Sequence, residues 1–376
     1  MSVKPGYIRC PAPPWRGPPW QAGTMTEFPP PFHGPRDPGD AWVEGPDGTR
    51  MWGRFGSAGL LAVDRERGIL LQHRAQWSHY GGTWGIPGGA RHQDELAVDA
   101  ALREANEEAD VPIDALAPLF TSVLDLGFWT YTTAAARTVR PFEPAITDAE
   151  SLALAWVPLH EVDELPLHPH FGDAWPRLRT LLEHPPLLLV DAANVVGSRP
   201  DGWWKDRAGA TRRLLAALRT ALEPGLPADL LAVPAGTVWP RTVVVLEGAA
   251  KEAAAEGPYK HDGGAVPARG DGTVGPVPED DGEDAPAPNG GTSRPVPEDD
   301  GGAGHTSAAH RRGVQLEVAH AAGSGDDELV AQVEKVFGAD SEASVTVVTS
   351  DRELRERIES LGARAVGAGT LLELLG

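Results

Sequence analysis

The chain has 376 residues, 41% hydrophobic, with 44 Gly, 36 Pro and a single Cys; at about 150 residues per domain this suggests two domains or three, part of the length being loop rather than core. A net charge of −21 opposes general binding to nucleic acid or anionic membranes. The lone Cys10 excludes a disulfide framework or a cysteine zinc site within one chain, and no run approaches the ~18 apolar residues of a membrane span, so the expected setting is the reducing cytoplasm.

Residues 1–40 are rich in Pro, Gly and Trp, with Pro11-Ala12-Pro13-Pro14 and Pro29-Pro30-Pro31, and carry no period of 2 or 3.6. They read as a disordered or loosely docked arm without a signal-peptide core; Met25 is an alternative start. The first folded unit is expected over 41–183. Apolar runs at 57–63 and 68–72 flank the charged turn Asp64-Arg65-Glu66-Arg67, a hairpin pattern. Trp84-Gly85-Ile86-Pro87-Gly88-Gly89 reads as a strand ending in a glycine turn. Residues 94–109 have helical apolar spacing, with Asp94 as N-cap. Strands follow at 119–126, 128–134 and 152–157, then a helix at 171–182 whose regular part should start after Pro176.

From Pro185 the pattern becomes strand–helix alternation: strands at 187–191, 242–246, 314–318 and 344–349, helices at 205–222, 328–337 and 352–361. That order specifies a parallel sheet in a second domain over 186–376. Residues 249–312 interrupt it. They are dense in Gly, Pro, Asp and Glu and contain Pro-Val-Pro-Glu-Asp-Asp-Gly twice, at 276–282 and 295–301, which reads as a disordered acidic insertion.

The most informative stretch runs from Gly89 to Val111: Gly89, five residues, Glu95, seven residues, then Arg103-Glu104-Ala105-Asn106-Glu107-Glu108. On a helix, Glu104, Glu107 and Glu108 share one face, with no Lys or Arg following at i+3 or i+4 to relieve them. A hard divalent cation, Mg²⁺ or Mn²⁺, would relieve them and bring an acidic protein the positive charge that a di- or triphosphate requires.

This spacing resembles the Nudix box, Gly-x5-Glu-x7-Arg-Glu-U-x-Glu-Glu-x-Gly-U, where U is a bulky aliphatic residue. Chance agreement at the six anchors before the final glycine is on the order of one in ten million, so a merely solvated acidic face is the weaker reading. Ala105 replaces the bulky aliphatic residue, which would loosen packing under the helix; Asp110 replaces the final glycine, and Asp tolerates the left-handed turn required there. The resemblance covers about 50–165 and implies an α+β fold with a mixed sheet between helices and a Mg²⁺- or Mn²⁺-dependent pyrophosphohydrolase. It implies metal ligation by Glu107 and Glu108, by Glu104 as ligand or general base, and by the Gly88 carbonyl. Glu95 and Arg103 correspond to the pair that orients helix and loop. A further acidic ligand ahead of the next strand would be Glu150, with Asp148 as alternative.

The substrate implied is a nucleotide or a nucleoside-diphosphate-linked small molecule, and the general shape is similar to the branch acting on oxidised nucleotides of the 8-oxo-dGTP type. Trp77, Tyr80, Trp84, Phe128, Trp129 and Tyr131 are available for stacking a base. His168 and His170 form a His-x-His pair that is more often an ordinary turn than a metal site.

In the second domain, Asp191 ends a strand with Asn194 three residues on, Asp326 opens a helix, and Asp351 follows the last β-branched run. The C-termini of parallel strands gather on one edge, so these residues form a candidate second metal site. The pattern resembles the NYN/PIN-like ribonuclease domains and implies a candidate RNA site, with Trp203-Trp204-Lys205 and Arg212-Arg213 as nearby basic and aromatic surface. The overall expectation is an α/β protein with a Nudix hydrolase unit followed by a PIN-like parallel-sheet unit. The alternatives are a metal-dependent ribonuclease with an accessory Nudix unit, and a non-enzymatic nucleotide sensor.

Overall fold

The structure is a computed structural model that describes residues 37–200, 202–254, 260–261 and 313–376. The expected N-terminal arm with Cys10, up to residue 36, and most of the expected insertion lie outside the described residues. The chain divides into two compact units: the first ends at Glu183 and takes in Pro234–Thr237, and the second comprises His184–Val233 and Val238–Gly376. Among the described residues no helix is long and apolar enough to cross a membrane.

The first unit starts with a hairpin of β1 (Trp42–Glu44) and β2 (Arg50–Trp52). Its main sheet is built on β3 (Ser57–Asp64) and β4 (Gly68–Arg74), joined by the expected charged turn. The Asp64 carboxylate makes that turn by accepting from the Glu66 and Arg67 amides, the Arg67 guanidinium and the Thr138 hydroxyl. Beyond Val63↔Ile69 the two strands part. β3 takes up β6 (Gly88–Ala90) antiparallel and β8 (Thr130–Thr138) parallel, while β4 takes up β5 (Trp84–Gly85) and β9 (Ser151–Val157), both antiparallel. β7 (Leu116–Asp125) pairs antiparallel with the other edge of β8. The sheet is therefore mixed and split between β3 and β4, and the chain crosses the split at Ile86-Pro87. This divides the single strand expected over 84–89 into two short ones, with Leu60 N–H bound to the Pro87 carbonyl.

Helix α1 (Ala97–Ala109) packs on β3, β6 and β8. Its buried face carries Ala100, Ala101, Ala105 and Ala109, all fully buried, so small side chains let the helix axis lie close to the sheet. Ala105 fills that contact rather than loosening it. The expected Asp94 cap is not formed: the helix starts at Ala97 behind Leu96, without a side-chain cap, and Asp94 sits at φ 63°. Glu95 is drawn out of the helix by bonds to the His92 amide and Arg103. At the other end Asp110 adopts φ 51°, ψ 35°, and its N–H bonds to the Ala105 and Asn106 carbonyls, so the turn normally made by glycine survives. Helix α2 (Pro169–Glu183) runs through Pro176, contrary to the expectation that its regular part follows that residue. Burial of Phe171, Trp175, Leu178 and Leu181 holds both halves in register, and Pro176 lies on the exposed side, where a missing backbone donor costs least.

The second unit is a parallel sheet. From Leu187 onward the elements in chain order are β10 (Leu187–Asp191), α3 (Ala192–Gly197), α4 (Arg207–Leu222), the short β11 (Leu226–Pro227) and β12 (Thr237–Val238), which are not strands of the parallel sheet, β13 (Arg241–Leu246), β14 (Lys260–His261), β15 (Gln315–His320), α5 (Gly325–Ala339), β16 (Val345–Val348), α6 (Arg352–Ser360), β17 (Arg364–Val366) and α7 (Ala368–Leu375). Strand order is β14-β15-β13-β10-β16-β17, with every pair parallel. The core joins Leu187, Leu189, Val243, Val245, Val345 and Val347 of the sheet to Leu329, Val333, Leu354 and Ile358 of the helices. The helix expected from Lys205 starts at Arg207 because Asp206 caps it on the Gly209 amide. The start of the expected insertion is built into the unit, as a 3₁₀ helix over Gly248–Ala254 with Ala253 buried and as β14 on the sheet edge.

A left-handed backbone strains any residue with a Cβ, so Asp110→Gly is expected to stabilise the first unit by about 1 kcal/mol. Denaturant unfolding followed at that unit's transition measures it.

Candidate active site

Arg103 organises one half of the site. Its Nε and Nη2 pair with the two Glu95 oxygens at 2.9 and 3.0 Å, its Nη1 reaches Glu104 at 2.9 Å and Glu107 at 3.1 Å, and Nη2 also bonds the Ala90 carbonyl at 3.0 Å. A planar guanidinium can serve this many acceptors in one plane, which an ammonium cannot. The helix face is thus relieved from the N-terminal side, by an arginine at i−4 of Glu107, rather than by a residue following the carboxylates. Gly89 is needed here because a Cβ would fall 2.6 Å from the Glu104 carboxylate.

Glu108 organises the other half. It is 7% exposed and points into the split between β3 and β4. One of its oxygens accepts the Gly88 N–H at 2.9 Å and faces Gln72 Nε2 at 3.4 Å. Gln72, fully buried, donates to Ser151 Oγ at 2.8 Å, which donates to Asp148 at 3.1 Å, while Gln72 Oε1 is left without a partner. The loop carrying Asp148 and Glu150 is tied to the end of α1: Thr147 Oγ1 donates to the Glu107 carbonyl, and the Ala145 N–H to that of Ala109. Glu108, Asp148 and Glu150 thereby bring one oxygen each within 4.8 Å of one another, close to the roughly 4.2 Å across an octahedral Mg²⁺. Arg74 stands beside them, 3.8 Å from Glu150.

The electrostatics follow. Burial pushes Glu104 up to about 7, with the Glu107 charge adding and Arg103 opposing. Burial, then the charges of Asp148, Glu104 and Glu150, hold Glu108 well above the usual carboxylate range. Burial raises Asp148, and burial with the Asp148 charge raises Glu150. All-oxygen donors that repel one another fit a hard divalent cation.

The structure thus brings Glu108, Glu150 and Asp148 together; Glu104 and Glu107, expected with them, are held on Arg103 outside that group. Gly88 meets Glu108 through its N–H. Sequence reasoning missed Gln72, Ser151 and Arg74. Gln72 had a signal, as the one polar residue in Ile69-Leu70-Leu71-Gln72. Of the aromatic candidates, Trp129 is tied by its Nε1 to the Trp52 and Gly53 carbonyls, Trp84 stacks on His73 at 4.8 Å, and Tyr80 is 42% exposed.

In the second unit the chosen residues lie at the C-terminal sheet edge and fix backbone there. Asp191 caps α3 on Asn194 N–H and accepts from Thr349 Oγ1, Asn194 accepts the Ser350 N–H, and Asp351 caps α6 on Leu354 N–H. Glu247, not foreseen, accepts the Gly325 N–H at the start of α5, and its charge with that of Asp351 bears on Asp326. Among the described residues, only Glu108, Asp148 and Glu150 converge as a group of three potential ligands.

The chain is similar to known proteins over its first unit. The NUDIX domain profile matches residues 53–179. A Mycobacterium tuberculosis protein described as "Putative 8-oxo-dGTP diphosphatase 3" is 43% identical over 166 residues, which cover 42% of this chain and 76% of that one. The chain belongs to the Nudix hydrolase family. A Bifidobacterium longum protein described as a nucleoside triphosphate pyrophosphatase/Nudix hydrolase fusion is 36% identical over 162 residues, 41% of this chain and 34% of its own length. A crystal structure of the Mycobacterium smegmatis Nudix hydrolase RenU is 44% identical over 39% of this chain and 96% of its own, with a TM-score of 0.36. The Nudix unit is that of a pyrophosphohydrolase, and Nudix hydrolases typically use divalent metals.

Folding raises Glu104 from 4.5 to about 7, so the folded state binds that proton more tightly than the unfolded state. Its stabilising contribution is complete below about 4.5 and is lost as pH rises through about 7. The Nudix unit without metal is therefore expected to lose thermal stability from pH 5 to pH 8, a trend that Mg²⁺ reduces.

Proposed function

We propose that this Nudix hydrolase cleaves a nucleoside di- or triphosphate derivative with Mg²⁺ or Mn²⁺, an oxidised deoxynucleotide of the 8-oxo-dGTP type being the leading candidate. The observation that carries this reading is the convergence of Glu108, Asp148 and Glu150 beside a second carboxylate, Glu104, held on Arg103. Glu108, Asp148 and Glu150, with the Gly88 carbonyl, would hold the cation. When bound, it supplies positive charge against the phosphoryl oxygens and acidifies a water.

Glu104 is the proposed general base. A carboxylate near 7 is matched to taking a proton from water at neutral pH. The oxygen of that water bonds to phosphorus, the phosphoanhydride P–O bond breaks, and the leaving phosphate carries away the bonding pair. Arg103 and Glu95 hold Glu104 and the loop over Gly89 in place, and Glu107, more exposed, sits at the rim. The relative described as an 8-oxo-dGTP diphosphatase supports the substrate class. The alternative of a metal-dependent ribonuclease through the second unit would rest on Asp191, Asn194, Asp326 and Asp351; the convergent carboxylates of the first unit favour the phosphohydrolase.

The deciding experiment is phosphate and pyrophosphate release from 8-oxo-dGTP, the common dNTPs, ADP-ribose and diadenosine polyphosphates, with Mg²⁺, Mn²⁺ or EDTA. Turnover of one class is expected, abolished by EDTA and reduced at least 100-fold in Glu108→Gln; turnover indifferent to both would overturn the assignment. Gln72→Leu removes the amide between Glu108 and Ser151, and is expected to weaken Mn²⁺ binding roughly tenfold, as loss of a group orienting metal ligands does. Titration calorimetry reads that affinity directly.

A further inference from the structure

We propose that Tyr80, His168 and His170 form the surface that binds the nucleobase, a planar heterocycle stacking on the exposed part of the Tyr80 ring while the imidazoles meet its polar edge. This rests on reading the Nudix unit as a nucleotide hydrolase. The three residues come from two segments far apart in sequence that the backbone fastens together: Trp84 N–H donates to the Pro166 carbonyl at 2.8 Å, and His168 N–H donates to the Trp84 carbonyl at 2.7 Å. The Tyr80 ring lies 4.8 Å from His168 and 6.1 Å from His170, edge to face in both cases, and His168 is 5.6 Å from His170. His79 packs on the same ring at 4.2 Å. Tyr80 is nevertheless 42% exposed, and its φ of 55° is unfavourable for a bulky side chain.

The surface adjoins the carboxylate group. Ala75 N–H donates to the Glu150 carbonyl at 2.7 Å. Arg74 spans the two sites, its Nε donating to the His79 carbonyl at 3.2 Å and its Nη2 standing 3.8 Å from Glu150. One arginine side chain thus separates the carboxylates from the aromatic cluster, a separation that a nucleotide bridges between its phosphates and its base.

The surroundings of His168 also suit a base edge. Burial, then Arg74, bring His168 down to about 4, and the same two causes lower His79. At neutral pH the His168 imidazole is therefore uncharged and offers one donor and one acceptor, which suits a heterocycle edge. The imidazoles do not converge as a metal group, since among the described residues only the three carboxylates do. Aromatic faces supply the stacking that every base accepts.

The test uses the full chain and ligands without an anhydride to cleave, so that it does not depend on turnover. Calorimetric affinities would be measured for dGMP, 8-oxo-dGMP, dAMP and dCMP, with inorganic pyrophosphate as the base-free control. Tyr80→Ala and His168→Ala are expected to weaken the tightest monophosphate at least tenfold and leave pyrophosphate within about twofold; Tyr80→Phe should retain binding. Unchanged monophosphate affinity in both Ala variants, an equal loss for pyrophosphate, or no monophosphate binding by the unaltered protein would each overturn the proposal. Monophosphate binding lost in Tyr80→Ala, in a protein that turns over no nucleotide, would uphold the base site and sink the hydrolase substrate reading instead.

Discussion

The Nudix unit depends on keeping one carboxylate, Glu108, inside the protein. A buried charge is tolerated only where it is bonded or neutralised, and the surroundings of Glu108 meet that demand. The sheet splits between β3 and β4 so that the Gly88 amide can turn toward it, and Gln72 interrupts an apolar strand to reach it. Helix α1 lies close to the sheet on four alanines, which brings its acidic face into the split. The loop that carries Asp148 and Glu150 is then pinned to the end of the same helix.

Positive charge is distributed unevenly across this site. Arg103 satisfies Glu95, Glu104 and Glu107 together, whereas among the described residues the group of Glu108, Asp148 and Glu150 has Arg74 alone as an ion-pair partner, 3.8 Å from one of its members. Unbalanced negative charge is therefore concentrated at one place in the unit. A single side chain with an unusual number of acceptors decides which carboxylates stay free for a cation.

Much of this was legible in the sequence, because the box anchors act through local geometry. Helical phase puts the glutamates on one face whatever surrounds them, and Asp110 could be read as a tolerable left-handed turn. Other features were not legible because they depend on contacts distant in sequence. The start of α1 moved from Asp94 to Ala97 because Arg103 claims Glu95. Pro176 sits within a helix because Phe171 and Trp175 are buried ahead of it. Asp148 and Glu150 could only be offered as alternatives, since spacing does not show that a loop returning over α1 lets both contribute. In the second unit the parallel order was legible from strand–helix alternation, but Glu247 was overlooked, although it follows a strand as Asp191 and Asp351 end or follow theirs.

The pairing of β3 with β6 places Gly59 opposite Gly88. A Cβ on Gly88 would fall 2.5 Å from the Gly59 Cα and collide with the Ala58 carbonyl, and a Cβ on Gly59 would collide with the Tyr131 hydroxyl. At Gly88 the approach is backbone against backbone, so no side chain fits, whereas at Gly59 the Tyr131 ring end, together with Ile86 and the Pro87 carbonyl, takes up the space. A side chain at Gly59 would therefore have to displace Tyr131 and crowd the Pro87 carbonyl, so the space left at Gly59 and the course of the loop some thirty residues downstream depend on each other.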